Sequence, residues 1–135
     1  RFVTRKIIAA AGRIARGSRE KLRLGNLAIL RDWGWAPEYV AAMWRLLQRD
    51  RPEDFVIATG VTHSLAEFVA AAFEAHGLDW RVHVEQDPSL LRPADIRYNA
   101  GNPAKAGSLL GWQAQYRMPE VVRLMANAEP ATASL

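Results

Sequence analysis

Cysteine is missing altogether from these 135 residues. Its absence removes disulfide frameworks, thiol nucleophiles and thiolate metal sites together, and it fits a reducing cytoplasm. Apolar runs are short. None approaches the roughly 20 residues that span a bilayer, and the N-terminus lacks a signal peptide's long apolar core, so the sequence reads as soluble, with no membrane partner. Fixed-period repeats and low-complexity tracts are also absent, which speaks against a solenoid or a disordered chain. There is no Gly-rich phosphate loop of the GxGxxG or Walker type, because Gly12 and Gly17 fall in or after a helical stretch rather than behind a strand. Histidine is scarce: His63, His76 and His83 lie on three different elements, so no metal site is expected. Ser64 follows His63 directly, but adjacent side chains diverge, and no Ser-His site is read there.

What remains is globular composition, 50% hydrophobic and 24% charged, enough for one compact domain or a large piece of a two-domain protein. The net charge is +4. Much of the excess lies in Arg1, Arg5, Lys6, Arg13, Arg16, Arg19, Lys21 and Arg23, which invites a nucleic-acid reading. No groove-reading motif accompanies them, and the solvated face of an amphipathic helix explains them better, so no nucleic-acid partner is expected. The chain opens at Arg1 directly in front of helix-forming sequence, as a fragment with an upstream part would.

The spacing of Ile7, Ile8, Ala11, Ile14 and Ala15 predicts a helix over 4–16, capped by Thr4 and stopped at Gly17. Lys21 to Leu24 alternates as a short strand ending at Gly25-Asn26. Pro37 suits the first turn of a second helix, with an apolar face of Tyr39, Val40, Met43, Trp44 and Leu47. Phe55 to Ala58 is a continuous apolar run, the pattern of a buried parallel strand. Ser64 and Glu67 form a capping-box spacing that puts Leu65, Phe68, Val69, Ala72 and Phe73 on the core face of a third helix ending near Gly77. Trp80 to Glu85 alternates as a further strand, and prolines 88 and 93 punctuate an irregular stretch. Asn102-Pro103 opens a short helix that Gly111 ends, and Met118 to Ala128 is a last amphipathic helix before a frayed tail. The order describes a small α/β unit, residues 1–128, with residues 129–135 as a flexible tail.

Two arginines stand out. Arg31, in Arg31-Asp32-Trp33-Gly34, is read as lying just before a helix start, where a guanidinium fork and the helix's first N–H groups together suit a phosphate. The plainer alternative is a surface ion pair with Asp32 or another carboxylate. Arg92 precedes Pro93, and Asp95, three residues on, is placed to hold that arginine or to accept sugar hydroxyls. Charge-assisted hydrogen bonds are worth roughly 1.5–3 kcal/mol each, and micromolar binding needs about 8 kcal/mol, so a few such contacts plus base stacking suffice.

The runs Phe2-Val3-Thr4-Arg5-Lys6-Ile7, Gly25-Asn26-Leu27, Arg31-Asp32-Trp33-Gly34, Tyr39-Val40, Ala42-Met43-Trp44, Pro52 through Gly60, Arg92-Pro93-Ala94-Asp95, Lys105-Ala106 and Leu110-Gly111-Trp112 resemble, in the same order, the GDP-mannose 4,6-dehydratase family. The likeness runs to about Asn127. It is to the C-terminal, substrate-binding part of an extended short-chain dehydrogenase/reductase, with the Rossmann core largely absent. The resemblance implies a hydro-lyase of GDP-fucose biosynthesis that turns GDP-mannose into GDP-4-keto-6-deoxymannose with a tightly held NADP. Hydride leaves C4, water leaves across C5–C6, and hydride returns to C6. It also implies that the glycine-rich loop, the Tyr-x-x-x-Lys pair, the Ser or Thr and the assisting glutamate belong to a Rossmann half, in cis or in trans, so no catalytic or cofactor-binding residue is assigned here and the chain alone is expected to be inactive.

By the same resemblance Val3 and Lys6 line the nucleotide-sugar pocket, while Arg31 and Arg92 hold the diphosphate. Asp95 stands where the family usually has glutamate, one methylene longer. Trp35 and Asn102 are further departures, beside the motifs rather than in them. The family implies dimers or tetramers and a cytoplasmic setting. Three other readings are weighed: another NAD(P)-dependent nucleotide-sugar epimerase, dehydratase or reductase; a basic nucleic-acid-binding module; and a non-catalytic scaffold. An isolated substrate-binding part is also expected to expose apolar surface and to self-associate or be poorly stable.

Overall fold

The computed structural model describes residues 2–91 and 94–128. Along the chain run α1 (Val3–Ala15), β1 (Leu22–Leu24), β2 (Leu30–Asp32), α2 (Ala36–Leu47), β3 (Thr62–Ser64), α3 (Leu65–Glu74), α4 (Trp80–His83), β4 (Val84–Gln86), a 3-10 turn (Pro88–Leu90), α5 (Ala104–Leu110) and α6 (Met118–Ala128). The tail, 129–135, lies outside the described residues.

The main core forms where three amphipathic helices meet. α1 contributes Ile7, Ile8, Ala11 and Ile14, α3 contributes Phe68, Val69, Ala72 and Phe73, and α6 contributes Met118 and Val122. Leu22 and Leu24 of β1 join them, and β1 pairs in parallel with β4. A second, smaller cluster gathers Ala42 of α2, Ala106 of α5, Trp112 and Ala114, with Tyr39, Phe55, Ile57 and Leu110 against it. Hydrogen bonds between side chains and backbone strap the 110–116 stretch to α2. The Glu38 carbonyl accepts from Trp112 Nε1 at 3.0 Å, the Glu38 carboxylate from the Gln115 and Tyr116 N–H groups, and Arg45 donates to the carbonyls of Leu110 and Gly111.

Several expectations hold in detail. The Ser64 hydroxyl accepts from the Glu67 N–H while the Glu67 carboxylate accepts from the Ser64 N–H at 2.6 Å, a full capping box, and all five expected core residues of α3 are buried. Gly111 ends α5 in the left-handed region, φ 57°. Asn102 does accept from the Ala104 N–H, but the N-cap is Pro103, one residue later than the sequence puts it, and α5 begins at Ala104.

Others need correction. α1 begins at Val3, with Phe2 rather than Thr4 at the N-cap. Phe55 to Ala58 forms no strand, because no strand lies beside it among the described residues; its side chains pack instead, Phe55 and Ile57 on the second cluster and Ala58 against Gly101. Trp80 to His83 is one helical turn, since the Asp79 carboxylate captures the Arg81 N–H, and the strand follows at Val84. The expected face of α2 points outward: Val40, Met43, Trp44 and Leu47 are exposed. The helix packs through a narrower stripe of Tyr39 and Ala42 against small partners on α5.

The capping box has a measurable cost of removal. Ser64→Ala is expected to lower stability by about 1 kcal/mol in urea unfolding. The Ser64 N–H and hydroxyl hold the Glu67 carboxyl below its ordinary range, so its contribution is present above about pH 4.5 and fades as pH falls through the lowered value. The acid limb of the stability curve is expected to be shallower in the Ser64→Ala variant.

Candidate functional site

The sequence places Arg31 at a loop before a helix, but its backbone is a strand. β2 lies between two partners. On one side it pairs antiparallel with β3, setting Arg31 opposite His63 and Asp32 opposite Thr62. On the other, the Leu30 N–H donates to the Arg97 carbonyl at 2.8 Å and the Leu30 carbonyl accepts from the Asn99 N–H at 3.0 Å, a parallel bridge to Tyr98. α2 starts only at Ala36, so the guanidinium is not part of a helix cap.

The bridge to Tyr98 also brings Asp95 across to Arg31. Arg31 Nη2 lies 3.5 Å from Asp95 Oδ1, and Nη1 donates to the Leu30 carbonyl at 2.8 Å. Both side chains are about a quarter exposed, 24% and 30%. The carboxylate contact is long, and two of the five guanidinium N–H groups are used by these two bonds. The arrangement is a half-shielded cation on a strand, steered by one carboxylate, with donor capacity for an anion.

Asp32 does not pair with Arg31, since successive strand residues face opposite ways. Its carboxylate accepts from Thr59 N at 3.0 Å, Thr59 Oγ1 at 2.7 Å and Gly60 N at 2.8 Å. Thr59 is buried, and its carbonyl accepts from Arg117 Nη1 at the start of α6. A cleft of about 480 Å³, lined in part by Thr59, Pro103, Ala104, Gln113 and Arg117, opens on this side rather than at Arg31. Sequence reading missed both Asp32 and Arg117; the one available signal, Arg117 three residues before Glu120, is a helix-start spacing, and the Glu120 carboxylate does accept from the Arg117 N–H.

Of the other sequence candidates, Lys6 donates to the Arg23 carbonyl at 2.7 Å, beside β1, and Val3 is exposed in the first turn of α1. No hydrogen bond or ion pair joins either to Arg31 or Asp95 among the described residues. Arg92 lies outside the described residues. Much of the basic N-terminal cluster is engaged within the chain, with Arg13 on Glu20 and Lys21 on the Val82 carbonyl. Among the described residues no three acidic or histidine side chains gather as a metal site, and no helix is long and apolar enough to cross a membrane.

The sequence family described as GDP-mannose 4,6 dehydratase matches residues 1–125. GDP-mannose 4,6 dehydratase 1 of Arabidopsis thaliana is 42% identical over 128 residues, covering 95% of this chain and 36% of the relative. GDP-mannose 4,6 dehydratase of Homo sapiens is 41% identical over 145 residues, covering 95% and 39%. The chain thus spans little more than a third of the length of these relatives. Among solved structures, RMD from Pseudomonas aeruginosa complexed with NADPH superposes with a TM-score of 0.82 at 19% identity, over 93% of this chain and 41% of that one. At that identity the likeness shows the fold alone, a mixed α/β arrangement that this chain shares with part of that structure.

Behind β2 the Tyr39 ring lies against Gly34, where any added Cβ would strike it. Burial, then the charges of Asp32 and Glu38, push the Tyr39 hydroxyl up to about 12. The folded chain therefore keeps a proton that the unfolded chain loses near pH 10, and stability falls as pH rises from about 10 to 12. Spectrophotometric titration is expected to show one tyrosine ionising late, together with the alkaline loss of stability, and Tyr39→Phe is expected to remove both.

Proposed function

The chain belongs to the GDP-mannose 4,6-dehydratase family, and on that premise we propose that it supplies the GDP-sugar side of an enzyme that converts GDP-mannose to GDP-4-keto-6-deoxymannose. The observation that carries this reading is the meeting of Arg31 with Asp95 across 64 residues of chain. It joins the Arg-Asp-Trp-Gly stretch to the Arg-Pro-Ala-Asp stretch, the two places where a diphosphate-holding arginine is expected. In the sequence Arg92 stands three residues before Asp95, within the same stretch. Two guanidinium forks on one pyrophosphate give parallel, charge-assisted bonds that a single lysine cannot match. Asp95 steers Arg31 and, once phosphate takes up the guanidinium, is free to accept a ribose hydroxyl. Val3 and Lys6 complete the nucleotide-sugar pocket in this proposal.

The family's chemistry needs a nicotinamide cofactor, NADP by the resemblance, and the residues described do not fit one. A dinucleotide cradle needs an open glycine turn behind a parallel strand. After β1, the strand of the parallel pair, a Cβ on Gly25 would lie 2.7 Å from the Leu90 carbonyl oxygen, so backbone already fills that space. No step of the reaction is therefore derived through the cofactor from this chain. Hydride and proton transfer fall to a Rossmann half acting in cis or in trans, and the working enzyme is proposed to be a cytoplasmic homo-oligomer.

Calorimetric titration with GDP tests the binding role. The chain is expected to bind GDP in the micromolar range, with GDP-mannose preferred over UDP- and dTDP-sugars. Arg31→Ala and Arg92→Ala are each expected to weaken binding by about ten- to a hundredfold, the equivalent of roughly 1.5–3 kcal/mol. Unchanged affinity in Arg31→Ala would remove the proposal's basis.

A further inference from the structure

We infer that Asp32 is a positioning residue for Arg31: its carboxylate fixes β2 in the register that keeps the guanidinium toward Asp95 and the proposed diphosphate. The inference rests on the GDP-sugar reading above.

β2 and β3 are each three residues long. A two-stranded pair that short is marginal by itself, and a slip of one residue turns every side chain to the opposite face. Here such a slip would exchange Arg31 for Asp32 at the site. The Asp32 carboxylate opposes it. Both of its oxygens are engaged, Oδ1 by the Thr59 N–H and hydroxyl and Oδ2 by the Gly60 N–H, in the turn that leads directly into β3. Thr59 is 5% exposed, so its two bonds to Asp32 are shielded from competing water, while the Gly60 bond lies at the surface. Gly60, at φ 78°, lets the chain turn so that its N–H and that of Thr59 face one carboxylate. Arg117 on the Thr59 carbonyl extends the tie to α6. The end of β2 is thus pinned to the entrance of β3 and, through it, to the main core.

An amide cannot replace this acceptor. Whichever way an asparagine is turned, its NH2 meets either the Gly60 N–H or the Thr59 N–H, donor against donor. Asp32→Asn keeps the shape of the side chain and is expected to weaken GDP binding about tenfold by calorimetry.

A double-mutant cycle separates positioning from general loss of stability. If Asp32 acts through Arg31, adding Asp32→Asn to Arg31→Ala causes no further loss of GDP affinity. Val122→Ala, buried in the main core and outside the hydrogen bonds of the clasp, is expected to lower the melting temperature with GDP affinity unchanged. Wild-type affinity in Asp32→Asn, or the same fold loss with and without Arg31, would overturn the inference while leaving the GDP-sugar reading intact. Failure of the wild-type chain to bind GDP at all would overturn that reading and this inference with it. Should Asp32→Asn not fold, Thr59→Ala removes the hydroxyl's bond to Asp32 together with its bond from the Val61 N–H; a smaller loss that again vanishes without Arg31 supports the inference, and wild-type affinity in Thr59→Ala overturns it.

Discussion

The register of three residues, Leu30 to Asp32, governs the arrangement of the candidate site. β2 is too short to hold itself in place, and it is fixed by its neighbours: Arg97 and Asn99 bond Leu30 on one side, β3 pairs along the other, and the Thr59–Gly60 turn grips Asp32 at the end. Alternation along a strand then does the rest. Arg31 faces Asp95, Asp32 faces the turn, and two stretches of sequence 64 residues apart become one feature.

The same stretch joins the two apolar clusters. The main core, built by α1, α3 and α6, reaches β2 through Trp33, whose ring lies 5.1 Å from that of Phe68. The smaller cluster reaches the same strand through Tyr39, packed on Gly34. A guanidinium and a carboxylate on adjacent residues thus sit at the seam between two packed units, where backbone is ordered by both. Binding groups on such a seam lose less conformational entropy on meeting a ligand than groups on a free loop, because their backbone is already fixed.

What was legible in the sequence follows from the range of the interactions involved. The capping box of Ser64 and Glu67, the Gly111 stop and the apolar face of α3 depend on residues within a turn or two of each other, and each is found where the spacing puts it. β2 was invisible because Leu-Arg-Asp has no strand pattern; residues 62–64 and 97–99 make it a strand. The reverse error occurred at Phe55 to Ala58, whose composition is that of a strand but which has no strand alongside to complete it. The face of α2 was misread for a related reason. Periodicity finds the widest apolar stripe, whereas Ala42 and Tyr39 pack against Ala106 and Trp112 because small residues allow close approach there. At the site, the motif pointed to Arg31 and Asp95 without showing that the two meet, and it gave no hint that Asp32 serves the fold rather than the ion pair.

The central claim is that one diphosphate is gripped at β2. A crystal structure of the chain grown with GDP-mannose tests it most directly. The account requires phosphate oxygens within about 3.2 Å of the Arg31 guanidinium, on the Asp95 side of the strand, with the Arg92 side chain reaching the same group. A diphosphate seated elsewhere, with Arg31 still turned to Asp95 alone, would contradict it.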